Sequence, residues 1–492
     1  MLVTLVACYF AVTICIGFYA ARRVKNSADY LVAGRSLPLY MNTATVFATW
    51  FGAELILAVS STFLKEGLQG VVGDPFGAAF CLIFVALFLA APYYRLKLMT
   101  VGDFYKKRYN RTVELASAAA ISISYLGWSS ANLVALGIVI HTVSGNAITL
   151  EQGIVLGAVI VGVYTLFGGM WSVAFTDLFQ TVIIVAGLIY IAWMLAGMAG
   201  GVDKVVATAQ ASDRLKFFPG ASLHDWLGFI AAFVTMALGS VAQQDVFQRV
   251  TSARTEKIAR QGTLLGGSLY LLMAFIPMFI AVSALLIDPA MVKQMLSNEN
   301  DFQQVLPTLI LQRTPLFAQV LFFGALLSAI LSTASGTLLA PTAVITENVI
   351  QPLWGHKLSD RKMLVLLRLI LIGFTCCVTL FALQSESSMY QMVQDAYKVT
   401  LVAAFTPLIF GMFWRRATPQ GALLSMVCGV VAWQYAEHFM SDALVPPQLV
   451  GLGSAIVGMI VGSLAPTLMG GQGHPEIVDQ ARQPEVADNP PA

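Results

Sequence analysis

The sequence predicts an all-α membrane protein with about thirteen spanning helices. Of its 492 residues, 58% are hydrophobic and only 11% are charged. The apolar residues form long continuous segments, whereas strands of a membrane β-barrel are segments of about ten residues with alternating polarity. This composition excludes a soluble globular protein, and a net charge of +2 does not indicate nucleic-acid binding.

Each predicted segment is placed relative to the bilayer by its flanking charges. Most Lys and Arg residues fall in alternate loops, beginning with Arg22, Arg23 and Lys25 after the first segment. Under the positive-inside rule this pattern predicts an outer N-terminus and a cytoplasmic C-terminus in the cell (inner) membrane. No basic residues precede the first segment, so we expect a retained span and not a cleaved signal peptide.

Ten of the predicted spans divide into two inverted groups of five, with one span before them and two after. Segments 40–63 and 223–242 open the two groups, and both carry small and polar residues at mid-span. The predicted divisions are 1–39 (first span and cytoplasmic loop), 40–198 (first repeat), 199–415 (second repeat), 416–470 (two added spans) and 471–492 (disordered cytoplasmic tail).

Paired interrupted helices are typical of the binding sites of secondary transporters. A carboxylate inside a membrane segment costs roughly 2.5–3.5 kcal/mol on insertion scales, so Glu54 is expected to face a partner or a watery cavity. We therefore expect polar groups near both interruptions to contact a solute. The candidates are Thr49, Trp50, Gly52, Glu54, Gln243 and Gln244.

Segment 316–340 contains a hydroxyl-rich run, residues 328–335. Ala329, Ser332 and Thr333 share one helix face, since they stand at i, i+3 and i+4. With carbonyls freed at Ala48 and Phe51, five neutral oxygens could surround a monovalent cation, whereas calcium or magnesium would require carboxylates. The alternative is that small hydroxylated residues only allow close helix packing.

Seven ordered segments resemble the sodium:solute symporter family over nearly the whole chain. They are residues 29–37, 100–109, 164–172, 176–180, 247–249, the Ser332–Thr333 pair, and Pro407 with Gly411, Trp414, Arg415 and Gly421. The resemblance implies a leucine-transporter-like fold, with sodium held by Ala48, Phe51, Ala329, Ser332 and Thr333. Asp177 and Ser335 match a second sodium site, although Gly336 departs from it and Asp177 could instead anchor a helix end.

Part of the chain looks like the family's choline-transporter branch. Trp50 and Trp128, with Tyr125 one turn before Trp128, would suit a quaternary ammonium through cation–π attraction. The aromatic cage is incomplete, however, because Gln243 replaces one of its members. The polar residues near the break would instead suit an amino acid, an amide or another small polar solute, and Trp128 could be an ordinary packing residue.

The predicted function is sodium-coupled import of a small polar organic solute by alternating access. The predicted partners are the solute, Na+ and the lipid bilayer, without nucleic acid, and the oligomeric state is left open. Two alternatives remain: a sensory or regulatory membrane module with a transporter-like fold, and a proton-coupled symporter with Glu54 or Asp177 as carrier. An enzyme is not expected, because the segments offer no nucleophile–base pair or metal constellation.

Overall fold

The computed structural model describes residues 2–297, 302–354, 358–385, 387–440, 443–466 and 474–482. This part of the chain is almost entirely helical. The longer helices are α1 (Leu2–Ala21), α2 (Leu39–Trp50), α3 (Glu54–Gly70), α4 (Val72–Arg95), α5 (Arg111–Val143), α6 (Leu150–Ala199), α7 (Leu223–Ala242), α8 (Gln244–Thr251), α9 (Glu256–Ile287), α10 (Leu316–Trp354), α11 (Asp360–Gln384), α12 (Met389–Phe413), α13 (Pro419–Phe439) and α14 (Pro447–Leu464).

Five shorter helices lie in the connections. They are Ser27–Val32, Val101–Arg108, Val202–Ala211, Pro289–Leu296 and Val305–Arg313.

Ten helices of the described chain are long and apolar enough to cross a membrane, and the bent pair α2–α3 makes an eleventh. Two differences account for the eleven candidates in place of the thirteen predicted spans. Segments 150–167 and 173–198 form the single helix α6, which is interrupted at Gly169, where φ is +49°. Helix α13 covers the predicted span 418–438 but does not count among the apolar candidates. The predicted number of spans is therefore not confirmed.

Both expected helix interruptions are present. Helices α2 and α3 meet at an angle of 52°. Helices α7 and α8 are separated at Gln243, whose backbone is extended, with φ −74° and ψ 141°. Each interruption leaves backbone groups without their usual helical partners, and this is tolerated in a membrane where they line a cavity or are buried in protein.

The centre of the bundle is formed by α5 and α10, which are largely buried, whereas less than a third of the residues of α1, α11 and α14 are buried. Helix α10 packs along α6 and α5 and also contacts α2. Helix α12 packs against α5, and α13 pairs with α14. The two interrupted helices thus lie inside a framework of long buried helices.

The region expected to be a disordered tail contains a short helix, α15 (Glu476–Arg482). Its apolar residues Ile477, Val478 and Ala481 are buried. The Arg95 side chain of α4 donates to the carbonyl oxygens of Ala481 and Arg482, at 3.1 and 3.0 Å. The described part of the tail is therefore docked on the bundle, contrary to expectation, and residues 483–492 lie outside the described residues.

Candidate functional site

The site begins with the gap between α2 and α3. In a continuous helix the N–H of Gly52 would bond to the carbonyl of Ala48, but here it bonds to Trp50 O at 2.9 Å. The Ala48 carbonyl is therefore released from helix pairing and accepts from Thr333 Oγ1 at 3.5 Å. A Cβ at Gly52 would lie 2.8 Å from Thr333 Oγ1, so only glycine permits this approach.

One of the expected sodium-site residues on α10, Thr333, faces this gap. Thr333 contacts Ala48 directly, and Ala329, Ser332 and Thr333 are buried. The Ser332 hydroxyl donates to Asp177 Oδ1 of α6 at 2.5 Å. The structure thus brings Ala48 and Thr333 together, and it adds a carboxylate to the neighbourhood of Ser332.

The two residues suggested for a second sodium ion are not joined to each other. Ser335 donates to the Ser332 carbonyl of its own helix at 2.9 Å, while Asp177 is the partner of Ser332. A Cβ at Gly336 would lie 2.6 Å from an Arg249 guanidinium nitrogen. The guanidinium supplies a positive charge beside Gly336, the position at which this chain departs from the family's second sodium site.

Aromatic side chains fill the space beside Trp50. Trp128 lies 6.0 Å from Trp50 and 5.9 Å from Tyr125, measured between ring centroids. Tyr397 of α12 stacks on Trp50 at 6.3 Å and lies 5.6 Å from Trp128. Asp245 of α8 accepts from the Trp50 indole at 3.1 Å and also from the Tyr125 hydroxyl. A buried carboxylate therefore stands among four aromatic rings.

The two neighbouring glutamines have different surroundings. Gln243 Nε2 donates to Ser124 Oγ at 2.9 Å and to Thr400 Oγ1 at 3.3 Å, at the interruption itself. Gln244 Oε1 instead accepts from the backbone N–H of Val101 at 2.7 Å. Gln243 thus lies in the polar centre of the bundle, whereas Gln244 holds the connection after α4.

The remaining two candidates, Thr49 and Glu54, differ in their polar contacts. Thr49 Oγ1 accepts from Arg249 Nε at 3.0 Å, so Thr49 is tied to α8. Glu54 begins α3, and its Oε1 is enclosed without a hydrogen-bond partner among the described residues.

Sequence reasoning missed several members of this region. Tyr397, Asp74 and Tyr270 were not singled out. The hydrogen bonds that the Asp245 carboxylate accepts from Trp50 and Tyr125 were not anticipated either. Asp74 could have been identified from the sequence, because it is an acidic residue within the predicted span 73–94. The described residues contain no group of three or more His, Cys, Asp or Glu that could hold a metal ion.

Two interrupted helices, packed in a membrane bundle around buried polar groups, define a secondary transporter. The family model described as the sodium:solute symporter family matches residues 30–429. The chain therefore belongs to the sodium:solute symporter family, whose coupling ion is sodium.

Relatives in the family have different named substrates. The chain is 26% identical over 444 residues to the high-affinity proline transporter PutP of Bacillus subtilis, covering 87% of this chain and 91% of the relative. It is 24% identical over 437 residues to the high affinity choline transporter 1 of Homo sapiens, covering 86% and 74%.

Solved structures confirm the expected leucine-transporter-like fold. A Na+-coupled sialic acid symporter in a substrate-bound outward-open state superposes with a TM-score of 0.80 at 18% identity, covering 94% of this chain and 98% of that one. Mhp1, a nucleobase-cation-symport-1 family transporter in a closed conformation, gives a TM-score of 0.60 at 13% identity, covering 88% and 93%. These similarities establish the fold and leave the solute open.

Proposed function

We propose that the protein imports a small polar organic solute together with sodium by alternating access. The observation that carries this proposal is the contact between Thr333 and the Ala48 carbonyl across the α2–α3 gap. It supports a sodium site made from Ala48, Phe51, Ala329, Ser332 and Thr333. The names of the relatives support an amino acid or an amine as the solute.

Coupling follows if sodium and solute favour the same arrangement of the helices. The proposed ion site and the aromatic region share α2, because Ala48 and Trp50 are two residues apart. Binding at one site then changes the equilibrium affinity at the other by the same factor in both directions. A rocking or gating motion of the bundle carries both across the membrane.

Ser332→Ala and Thr333→Ala test the ion site in solute uptake by proteoliposomes. Each variant should raise the sodium concentration that gives half-maximal uptake, because each removes one proposed oxygen ligand. Thr342→Ala is the matched control, since the Thr342 hydroxyl bonds to its own helix at Leu338 O. Unchanged sodium dependence in both site variants would contradict the assignment.

Proton coupling is a second candidate, favoured by one observation. Asp177 Oδ2 is enclosed without a hydrogen-bond partner among the described residues, which leaves an oxygen free to accept a proton. Uptake driven by a pH gradient without sodium, and abolished in Asp177→Asn, would favour this alternative over sodium coupling.

A further inference from the structure

Two carboxylates lie beside the helix gap, on neighbouring elements. Glu54 is the first residue of α3, and Asp74 lies near the start of α4. The segments 54–59 and 72–77 pack against each other. Asp74 is 3% exposed, and Glu54 is half-buried.

The pair lacks a basic partner. Among the described residues, no Lys, Arg or His lies within 4.0 Å of either carboxylate, and Arg249 lies instead beside Thr49. The N-terminus of α3 contributes only a partial positive charge, about half an elementary charge, near Glu54. Intramembrane carboxylates that lack a counter-charge are costly and usually belong to a ligand pathway.

Unused hydrogen-bonding atoms point to a ligand between these elements. Glu54 Oε1 and Gln394 Nε2 are both inaccessible to solvent and find no hydrogen-bond partner among the described residues. The Gln394 nitrogen lies 2.9 Å from the position of a Cβ built on Gly73, immediately before Asp74. A buried polar atom without a partner loses its hydration without replacement. A ligand that donates to Glu54 Oε1 and accepts from Gln394 Nε2 would therefore stabilise the site.

Tyrosine rings complete the surroundings of the pair. The Tyr270 hydroxyl of α9 donates to Asp74 Oδ1. Helix α12, which carries Tyr390 and Tyr397, packs against the segment 54–59. Tyr397 also stacks on Trp50, so this region adjoins the aromatic cluster described above.

A cavity of about 760 Å³ lies beside Tyr390. It is lined by Tyr390, Thr62 and Lys65, among other residues, but not by Glu54 or Asp74. It is large enough for a small organic molecule, since ligand pockets commonly measure about 300–1,000 Å³.

We propose that Glu54 and Asp74 form the subsite for a positively charged, N–H-bearing group of the solute, which is a primary ammonium or a guanidinium. This inference rests on the proposed transport function and specifies its substrate class. Carboxylates bind such groups through charge-assisted hydrogen bonds, which a quaternary ammonium cannot form because it has no N–H. An electroneutral solute would leave both carboxylates uncompensated.

The test is binding to the purified full-length protein, measured by calorimetry and by thermal melting in NaCl and in KCl. The probes are putrescine, agmatine, choline and L-proline. We expect putrescine or agmatine to bind in NaCl. Tighter binding of putrescine would identify an ammonium as the preferred group, and tighter binding of agmatine would identify a guanidinium. Asp74→Asn and Glu54→Gln should each weaken that binding at least tenfold.

Asp203→Asn is the control, because Asp203 is an exposed carboxylate on the helix Val202–Ala211. A rise in melting temperature with sodium alone reports whether each variant retains the fold. The inference is overturned if neither putrescine nor agmatine binds the wild type. It is also overturned if Asp74→Asn and Glu54→Gln bind the stronger amine as tightly as the wild type does, or if the wild type prefers choline or L-proline. Failure of the transport proposal gives a different result: sodium would not alter melting or probe binding in either wild type or Ser332→Ala.

Discussion

The Ser332 hydroxyl on α10 donates a hydrogen bond to Asp177 Oδ1 on α6 at 2.5 Å. Both side chains are fully buried. Because the proton of Ser332 is directed to Asp177, the oxygen lone pairs of Ser332 remain available to a cation. The carboxylate thus orients a proposed ligand and adds negative charge beside it.

Asp177→Asn should raise the sodium concentration for half-maximal uptake by about ten-fold or more. Hydrogen bonds to charged groups contribute about 1.5–3 kcal/mol, and 1.4 kcal/mol corresponds to a factor of ten. Sodium titration of uptake measures the change. Sodium dependence equal to that of the wild type would mean that Asp177 only anchors its helix.

Gly52→Ala should abolish sodium-dependent uptake and lower thermal stability. The added methyl group would lie 2.8 Å from Thr333 Oγ1 and 3.3 Å from Thr333 Cβ, so α2 and α10 must separate. Overpacking of this kind costs about 1–3 kcal/mol. Gly373→Ala on α11 is the control, because nothing lies within 4 Å of its added methyl group. Equal effects of the two substitutions would refute a specific role for the close approach.

Replacing Gln243 or Gln244 by alanine should have different effects on solute binding and on stability. Gln243→Ala removes the partner of Ser124 and Thr400 at the helix interruption, so we expect weaker solute binding with a nearly normal melting temperature. Gln244→Ala leaves the Val101 N–H without its acceptor, at a cost of about 1–3 kcal/mol in stability. Binding calorimetry and thermal melting of both variants measure the contrast. A solute affinity that falls equally in both would contradict it.

Val478→Asp should detach α15 from the bundle. Val478 is fully buried, and a carboxylate there would be buried without a partner. Cleavage by trypsin after Arg482, followed by mass spectrometry, should become faster, since the Arg482 guanidinium donates to Phe413 O in the docked helix. Glu476→Gln is the matched control, because Glu476 is exposed. Unchanged cleavage in Val478→Asp would show that docking does not protect this site.

Local signals predicted the helix interruptions better than the contacts that side chains make between helices. Gly52 and its polar neighbours marked the α2–α3 gap, and helical spacing placed Ser332 and Thr333 on one face. The environment of Asp245 depends on Trp50 and Tyr125, which come from two other helices. A contact between residues of three different helices cannot be read from a local sequence pattern.

The tail was mispredicted for a different reason. It was predicted to be disordered because it is rich in proline and polar residues. The prediction overlooked a short apolar pattern, in which Ile477, Val478 and Ala481 fall on one helix face. Such a helix is too short to be stable alone, so its formation depends on tertiary packing. Its partners lie hundreds of residues earlier in the chain, at Arg95 and Phe413.

The Arg249 guanidinium fixes a positive charge beside Gly336, one turn beyond Thr333 along α10. A sodium ion that left its proposed site in that direction would meet like charge in a medium that screens poorly. We therefore expect this side chain to oppose slippage, the passage of sodium without solute. Arg249, which is not among the proposed sodium or solute ligands, would then determine how many sodium ions cross the membrane for each solute molecule taken up.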